Sequence, residues 1–236
     1  ALHNNPGLQL AGLENMRLLK GIVLEDRQRP IRILAAPAKS NGDSITVNLE
    51  LRDGITDGAE VIHSKATAML TDRLPSPPPY EIPTDLLNAS YDRDVSQIYA
   101  DILFHGQALQ GIRRVRSCGA SGMIADLGTA PTPGAWIQTP PRNHWIADPL
   151  AMDGAFQMAS LGCYEETGRV SLPSFSASYR QDCRRFPSQP IQAVLAIRDV
   201  SRYKLVGDFT FLDQDGKVLA TITGYEAVME DRLIRA

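Results

Sequence analysis

The chain has 236 residues, with 24 Lys and Arg against 27 Asp and Glu and a formal net charge of −3. This length fits one large domain or two small fused ones. The near balance of charge argues against nucleic-acid binding through bulk charge, and the 6% aromatic content argues against stacking platforms for single strands. No apolar run reaches the ~18 residues of a membrane span. The first residues show no signal-peptide pattern.

The three cysteines are an odd number with no C-x-x-C pair, which predicts reduced thiols in a cytoplasmic protein. They are Cys118, Cys163 and Cys183. We predict no bound metal.

The first part of the chain is predicted to be all β. Residues 31–34, 44–51 and 60–70 are candidate strands, and the second alternates strictly between apolar and polar positions. Asp53-Gly54 and Asp57-Gly58 are turn dipeptides. No long helix is predicted in this part.

A proline-rich segment follows and includes three consecutive prolines, Pro77 to Pro79. Such a run cannot join a sheet ladder and favours an extended conformation. We interpret residues 73–93 as a linker between two halves, because it lies between two strand-rich regions. The alternative is a ligand for a proline-recognising module.

The second part combines helices with a run of strands. Residues 95–103 are a predicted short amphipathic helix and 112–125 a predicted strand. A helix is predicted over 149–165, with Asp148 as its N-cap and Gly168 closing its end. The remaining predicted strands are 170–180, 191–199, 203–212 and 217–229, with a hairpin turn at 213–216. A central apolar helix followed by antiparallel strands predicts an α+β hotdog arrangement, a sheet wrapped around one helix.

Asp153 is the sole carboxylate of the long helix between Asp148 and Glu165. A carboxyl group in apolar surroundings has a raised pKa, which suits a general acid. Gln157 lies four residues further on, so it shares a helix face with Asp153 and can orient it by a hydrogen bond. The competing interpretation places Asp153 at an exposed edge of the first turns, where it serves the helix dipole. The pattern alone divides these two about evenly.

A second candidate cluster is His105-Gly106-Gln107-Ala108-Leu109-Gln110-Gly111. A lone His beside an apolar run is more often a packed structural residue than a base. The glycine at Gly154 is tolerable inside the helix if another backbone or a substrate passes close to it.

Together these segments resemble the dehydratase domain of modular polyketide synthases and polyunsaturated fatty acid synthases. That family carries a Tyr-Gly-Pro-x-Phe-Gln-Gly type motif, which stands here at His105–Gly111, with Gln107 replacing Pro and Leu109 replacing Phe. Its His-Pro-x-x-x-Asp-x-x-x-Gln motif stands here from Asp148 to Gln157. The late Asp213–Val218 hairpin is also similar to the family, and residues 13–24 look like the strand that follows the family's first hotdog helix.

The resemblance implies a double hotdog that eliminates water from 3-hydroxyacyl chains held on acyl carrier protein. Residues 1–72 would be the remainder of the N-terminal hotdog and 94–236 the C-terminal one. Asp153 would protonate the leaving hydroxyl with Gln157 as its partner, and His105, Gly106, Leu109 and Phe156 would line the substrate site. No cofactor is implied beyond the phosphopantetheine arm of the carrier. The implied partners are the acyl carrier protein and neighbouring synthase domains, and homodimers are common in the family.

The family's catalytic base is a His in an early His-x-x-x-Gly-x-x-x-x-Pro motif, and none of the four histidines here matches it. One explanation is that an N-terminal segment with this His and the first helix is missing from the sequence. The other is a dehydratase-like unit without its base, which would bind acyl chains or act as a scaffold. A product-template cyclase on the same fold is a third, less favoured interpretation.

Overall fold

A computed structural model describes residues 1–24, 28–42, 44–54, 60–77 and 79–230. Within these residues, eleven strands form one antiparallel sheet in the order β2-β4-β5-β1-β8-β11-β10-β9-β7-β6, with β3 paired to β4. The strands are β1 Gln9–Leu18, β2 Ile31–Ala35, β3 Lys39–Asn41, β4 Ser44–Asp53, β5 Ile62–Thr71, β6 Ile112–Gly119, β7 Gly122–Leu127, β8 Val170–Gln181, β9 Ile191–Val200, β10 Lys204–Leu212 and β11 Val218–Glu230.

The helices are few. They are α1 Thr84–Leu87, α2 Val95–Gln97 and α3 Pro149–Thr167, with 3-10 turns at Leu2–Asn4, Gln107–Leu109 and Pro133–Ala135. The predicted helix over 95–103 is α2 followed by a π-helical turn at Ile98–Ile102. Among the described residues, none of the helices is long and apolar enough to cross a membrane.

The predicted strands before residue 72 and after residue 169 are confirmed to within about two residues at their ends. The single strand predicted over 112–125 is wrong. It is two strands, β6 and β7, which pair with each other from Ile112↔Leu127 to Gly119↔Gly122. Gly122 has φ +145° and lies so close to β9 that an added Cβ would meet the Leu195 carbonyl oxygen at 1.9 Å. The reversal therefore depends on a glycine that an apolar pattern does not mark.

The strand expected over residues 13–24 is shorter and begins earlier in the structure, because β1 spans Gln9–Leu18. Strand β3 was not predicted. The turn predicted at Asp57-Gly58 lies outside the described residues, whereas the Asp213–Gly216 turn is present, with the Asp213 N–H bonded to the Lys217 carbonyl at 2.9 Å.

Two halves of the sheet meet where β1 pairs with β8, from Gly12↔Arg180 to Arg17↔Phe175. The second half holds α3 against its strands, and their side chains form one continuous apolar core that includes Met158, Leu161 and Phe209. In the first half the buried apolar cluster is small, with Val47, Ala68 and Leu70 at its centre.

The segment predicted as a linker crosses the face of the second half opposite α3. Leu86 of α1 is 1% exposed and belongs to a small cluster with Ile124 and Val194. Ile124 lies between Met123 and Ala125, both of which pack in the α3 core, so its side chain points to the other face of β7.

A buried ionic cluster stabilises the outer strands of the first half. His63 Nε2 lies 2.8 Å from Asp53 Oδ1, and its Nδ1 lies 3.0 Å from the Lys20 carbonyl oxygen. Arg29 Nε donates to the same Asp53 oxygen at 3.0 Å. The hydrogen bonds from Arg29 and then His63 lower the pKa of Asp53, whereas those with Asp53 and then Lys20 raise the pKa of His63.

Candidate active site

Helix α3 begins and ends as the sequence predicts. The Asp148 carboxylate accepts a hydrogen bond from the Ala151 N–H at 2.9 Å, and Pro149 occupies the first helical position. Both Asp148 oxygens also accept from the Ala130 N–H, at 3.1 and 3.0 Å, so the cap ties a loop to the helix. Gly168 closes the helix in the left-handed conformation, at φ 72°.

Two glycines bring the 105–111 loop into direct contact with the first turns of α3. A Cβ on Gly111 would lie 2.8 Å from the Cα of Gly154 and 3.0 Å from the Leu150 carbonyl oxygen. Another backbone therefore passes close to Gly154, which is one of the two conditions under which a glycine inside the helix is tolerable. It places the loop and the helix face of Asp153 side by side.

Gln157 is fully buried, and its amide is engaged on both sides. Its Oε1 accepts from the Tyr99 hydroxyl at 2.5 Å and from the Gly111 N–H at 3.2 Å. Its Nε2 donates to the Leu109 carbonyl and to Asp153 Oδ2, each at 2.6 Å. The hydrogen bond predicted from the four-residue spacing is present, and the other three contacts fix the plane of the amide that makes it.

Tyr99 is a residue of this network that the sequence reasoning missed. Its hydroxyl accepts from the Ile112 N–H at 2.8 Å while it donates to Gln157. Burial is the main cause that raises the pKa of Tyr99, so the phenol stays protonated. The available signal was the phenol itself, because a tyrosine within a buried apolar helix needs a hydrogen-bond partner.

The Asp153 side chain is 34% exposed. It is not enclosed by apolar side chains, as one of the two interpretations of the helix pattern expected, because the 106–109 turn beside it is open to solvent. An added Cβ on Gly106 would meet no atom within 4 Å. Gln157 donates a hydrogen bond to one oxygen of the carboxylate, while the side chain as a whole remains partly exposed to solvent.

His105 lies next to this carboxylate, with Nε2 3.7 Å from Asp153 Oδ2 and a side chain that is 13% exposed. Its ring stacks on Phe104 at a centroid distance of 4.5 Å. Nδ1 is buried and has no hydrogen-bond partner among the described residues. Burial lowers the pKa of His105 and the Asp153 charge opposes that shift, so the imidazole is neutral at pH 7.

The remaining predicted site residues lie on both sides of Asp153. Leu109 is 45% exposed, although its carbonyl is held by Gln157. Phe156 is half-buried and stacks on Tyr225 of β11 at 5.3 Å with nearly parallel rings. The structure therefore brings His105, Gly106 and Leu109 to Asp153 and Gln157, and directs Phe156 toward the sheet.

No group of three or more His, Cys, Asp or Glu side chains within the described ranges is arranged to hold a metal ion. The site consists of one carboxylate, one imidazole and an amide held by backbone and phenol groups. Such a set can exchange protons with a bound substrate.

Comparisons with known proteins identify relatives of this chain. One polypeptide of the polyunsaturated fatty acid synthase of Thraustochytrium sp. is 24% identical over 169 residues, which cover 72% of this chain and 6% of that much longer protein. A dehydratase domain of a trans-AT polyketide synthase from Brevibacillus brevis superposes with a TM-score of 0.69 at 18% identity, covering 94% of this chain and 77% of that one. The dehydratase domain from the CurH module of curacin polyketide synthase gives 0.68 at 17% identity, covering 95% and 78%.

These solved domains share the fold of this chain, an α+β structure of the double-hotdog type. Residues 75–235 match the family described as the polyketide synthase dehydratase N-terminal domain. The match includes both motifs, the 105–111 loop and the Asp148–Gln157 helix segment. The resemblance noted from the sequence is confirmed, and the chain belongs to the polyketide synthase dehydratase family.

Proposed function

We propose that this domain removes water from 3-hydroxyacyl thioesters carried by an acyl carrier protein, within a polyketide or polyunsaturated fatty acid synthase, and that Asp153 is the acid. The observation that best supports this proposal is the Asp153–Gln157 hydrogen bond of 2.6 Å. Gln157 belongs to a buried network, whereas the Asp153 side chain is partly exposed to solvent. Membership of the dehydratase family supports this reaction class. The proposal requires a carrier and neighbouring synthase domains as partners, in the cytoplasm.

The elimination needs one proton removed and one delivered. A base takes the proton from C2. The electron pair of the former C2–H bond forms the C2–C3 double bond, and the C3–O bond breaks as the hydroxyl leaves. Protonated Asp153 gives its proton to that hydroxyl, which departs as water. Gln157 donates a hydrogen bond to Oδ2 of the carboxyl group, and in this proposal Oδ1 delivers the proton.

His105 is the proton partner of Asp153 in this proposal. Its neutral ring lies 3.7 Å from the carboxyl group, within reach of a small rearrangement or a bridging water. A carboxyl group that loses its proton in each turnover must regain it, and a neighbouring imidazole can pass one on.

The base that removes the C2 proton is the open point of this proposal, and it raises a second candidate function. His63 cannot act as the base, because both of its ring nitrogens are engaged by Asp53 and the Lys20 carbonyl. The early histidine motif of the family has no counterpart in the sequence. No residue of the given sequence is therefore assigned as the base in this proposal, and an acyl-binding domain that holds the thioester without converting it is the second candidate function.

The decisive experiment is turnover of a 3-hydroxyacyl pantetheine thioester, followed through the absorbance of the enoyl product. We expect Asp153→Asn to reduce the rate by roughly 100-fold or more, the usual contribution of a general acid. His105→Gln should reduce it less and should shift the acidic limb of the pH–rate profile, which a purely structural role would leave in place. Asp199→Asn, at an exposed position of β9, is the control.

The outcomes separate the two functions. Binding of the thioester by the full-length protein with no enoyl product would support the acyl-binding domain and contradict the dehydratase. Turnover that is unchanged in Asp153→Asn would remove this carboxyl group from the reaction.

A further inference from the structure

The hydroxyl of Tyr99 is the point at which three separate segments of the second half meet. Tyr99 lies in the π-helical turn Ile98–Ile102, a rare conformation that occurs frequently at functional sites. Its hydroxyl accepts from the N–H of Ile112, the first residue of β6, and donates to Gln157 of α3. The turn therefore places one phenol oxygen between the start of a strand and the helix that carries Asp153.

The direction of these hydrogen bonds is set by groups that cannot exchange roles. A backbone N–H only donates, so the Ile112 N–H uses an acceptor position of the Tyr99 oxygen. The hydroxyl proton is then donated to Gln157 Oε1, at an oxygen–oxygen distance of 2.5 Å. Burial is the largest cause that raises the pKa of Tyr99, and the charge of Asp153 acts in the same direction. The phenol thus keeps the proton that it donates.

The amide of Gln157 is fully committed in the same sense. Its oxygen accepts from Tyr99 and, at the longer distance of 3.2 Å, from the Gly111 N–H. Its nitrogen has two hydrogens and two acceptors at 2.6 Å, the Leu109 carbonyl and Asp153 Oδ2. Tyr99 therefore supplies the shorter of the two contacts that hold the amide oxygen away from the carboxylate and leave its N–H groups to face it.

These groups form a directed series from Ile112 through Tyr99 and Gln157 to Asp153. A hydrogen bond donated to an amide oxygen polarises the amide and strengthens the bonds that its N–H groups donate. The two middle members are buried, with Tyr99 7% and Gln157 0% exposed, whereas the Asp153 side chain at the end is 34% exposed. The Tyr99 hydroxyl can therefore influence the carboxyl group without contacting a bound substrate.

We propose that Tyr99 is a positioning residue of the active site, whose hydroxyl holds the Gln157 amide with an N–H directed at Asp153. The inference rests on the proposed function only in taking Asp153 as the acid. The competing role is purely structural, in which the hydroxyl does no more than satisfy the buried Ile112 N–H. The two roles differ in whether the loss of the hydroxyl reaches the reaction through Gln157.

The first measurement is steady-state turnover of a 3-hydroxyacyl pantetheine thioester by the full-length protein carrying Tyr99→Phe. Loss of the hydroxyl should lower kcat by about 10-fold and leave KM within about 2-fold, because the residue does not contact the substrate. In a Gln157→Leu background, the same substitution should lower kcat by less than about 2-fold, because its connection to Asp153 is already removed.

The matched control is Tyr179→Phe. Tyr179 of β8 is 4% exposed, and its hydroxyl also donates to a glutamine, Gln181 Oε1, at 2.7 Å. The amide of Gln181 donates to the Ile146 and Cys183 carbonyls rather than to a carboxylate. The control deletes the same buried phenol–amide hydrogen bond elsewhere in the second half, and it should leave kcat within about 2-fold of the unaltered value. Thermal unfolding checks that both tyrosine variants are folded.

A second measurement does not depend on turnover. The side-chain amide protons of Gln157 can be observed by ¹⁵N–¹H NMR of the 236-residue chain and assigned by their loss in Gln157→Leu. In Tyr99→Phe these signals should shift and should exchange faster with water, since the amide has lost the shorter contact on its oxygen. In Tyr179→Phe they should stay unchanged.

Unchanged Gln157 amide signals in Tyr99→Phe would overturn the proposal, and so would kcat losses that multiply in the double variant. A raised KM at unchanged kcat would also overturn it, because Tyr99 would then act in substrate binding. If Gln157→Leu does not fold, glutamine-selective labelling assigns the signals, and they decide together with the kcat–KM split. Absence of enoyl product from the unaltered full-length protein would contradict the dehydratase, whereas the amide signals would still test the positioning by Tyr99.

Discussion

The two halves of the sheet differ in what covers them. In the second half, α3 fills the concavity, and side chains such as Met158, Leu161 and Phe209 have no solvent exposure. In the first half, Ile33 of β2 is 75% exposed, and the outer strands are held together by the His63–Asp53 pair. The first half is therefore stabilised by strand pairing, an ion pair and a small apolar cluster, whereas α3 gives the second half a deep core.

The largest difference between the halves should appear on truncating one apolar side chain in each. Leu161→Ala removes a fully buried side chain of α3 and should lower the free energy of unfolding by roughly 2–5 kcal/mol. Ile33→Ala should change it by less than about 0.5 kcal/mol. Urea denaturation of both variants measures the difference, and similar midpoints would contradict the contrast between the halves.

A smaller effect is expected where the 105–111 loop meets α3. Gly111→Ala forces a methyl group against the backbone of Gly154 and should cost about 1–3 kcal/mol of stability, with weakened activity because the Gln157 network shifts. Gly106→Ala, in the same loop, places its methyl group in open space and serves as the control for stability. Thermal unfolding of the pair is the measurement, and equal stability would show that the loop does not pack against the helix backbone.

The smallest effect should be a local pH dependence in the first half. The raised pKa of His63 contributes stability that is complete below the unfolded value of roughly 6.5 and is lost as pH rises through the folded value. The lowered pKa of Asp53 contributes stability that is complete above roughly 3.9 and is lost as pH falls through the folded value. Both contributions are complete between these two values.

Hydrogen exchange of β4 and β5, corrected for the intrinsic effect of pH, should therefore show declining protection as pH rises from 6 to 9. Strands β9 and β10 of the second half are the internal reference. Asp53→Asn should flatten the dependence. Protection that changes equally in both halves would assign it to global unfolding instead.

The local part of the structure was accessible from the sequence. The caps at Asp148 and Gly168 and the spacing of Asp153 and Gln157 are short-range signals, and each corresponds to a contact in the structure. The order and spacing of the two motifs sufficed to identify the family.

Contacts between distant segments were not accessible in the same way. Tyr99 reaches Gln157 across 58 positions, and its role depends on where α2 ends and on how the loop crosses α3. No sequence pattern pointed to the His63–Asp53 pair, because neither residue interrupts the strand pattern in which it lies. The exposure of Asp153 likewise depends on a neighbouring turn rather than on its own helix.

The junction of β1 and β8 has a mechanical consequence. The two halves are joined by a backbone ladder rather than by a flexible hinge, and Gly12 lets the strands approach so closely that an added Cβ would meet the Tyr179 carbonyl oxygen at 2.1 Å. Relative rotation of the halves would have to break that ladder. The two halves therefore keep their relative orientation for as long as the β1–β8 strand pairing is intact.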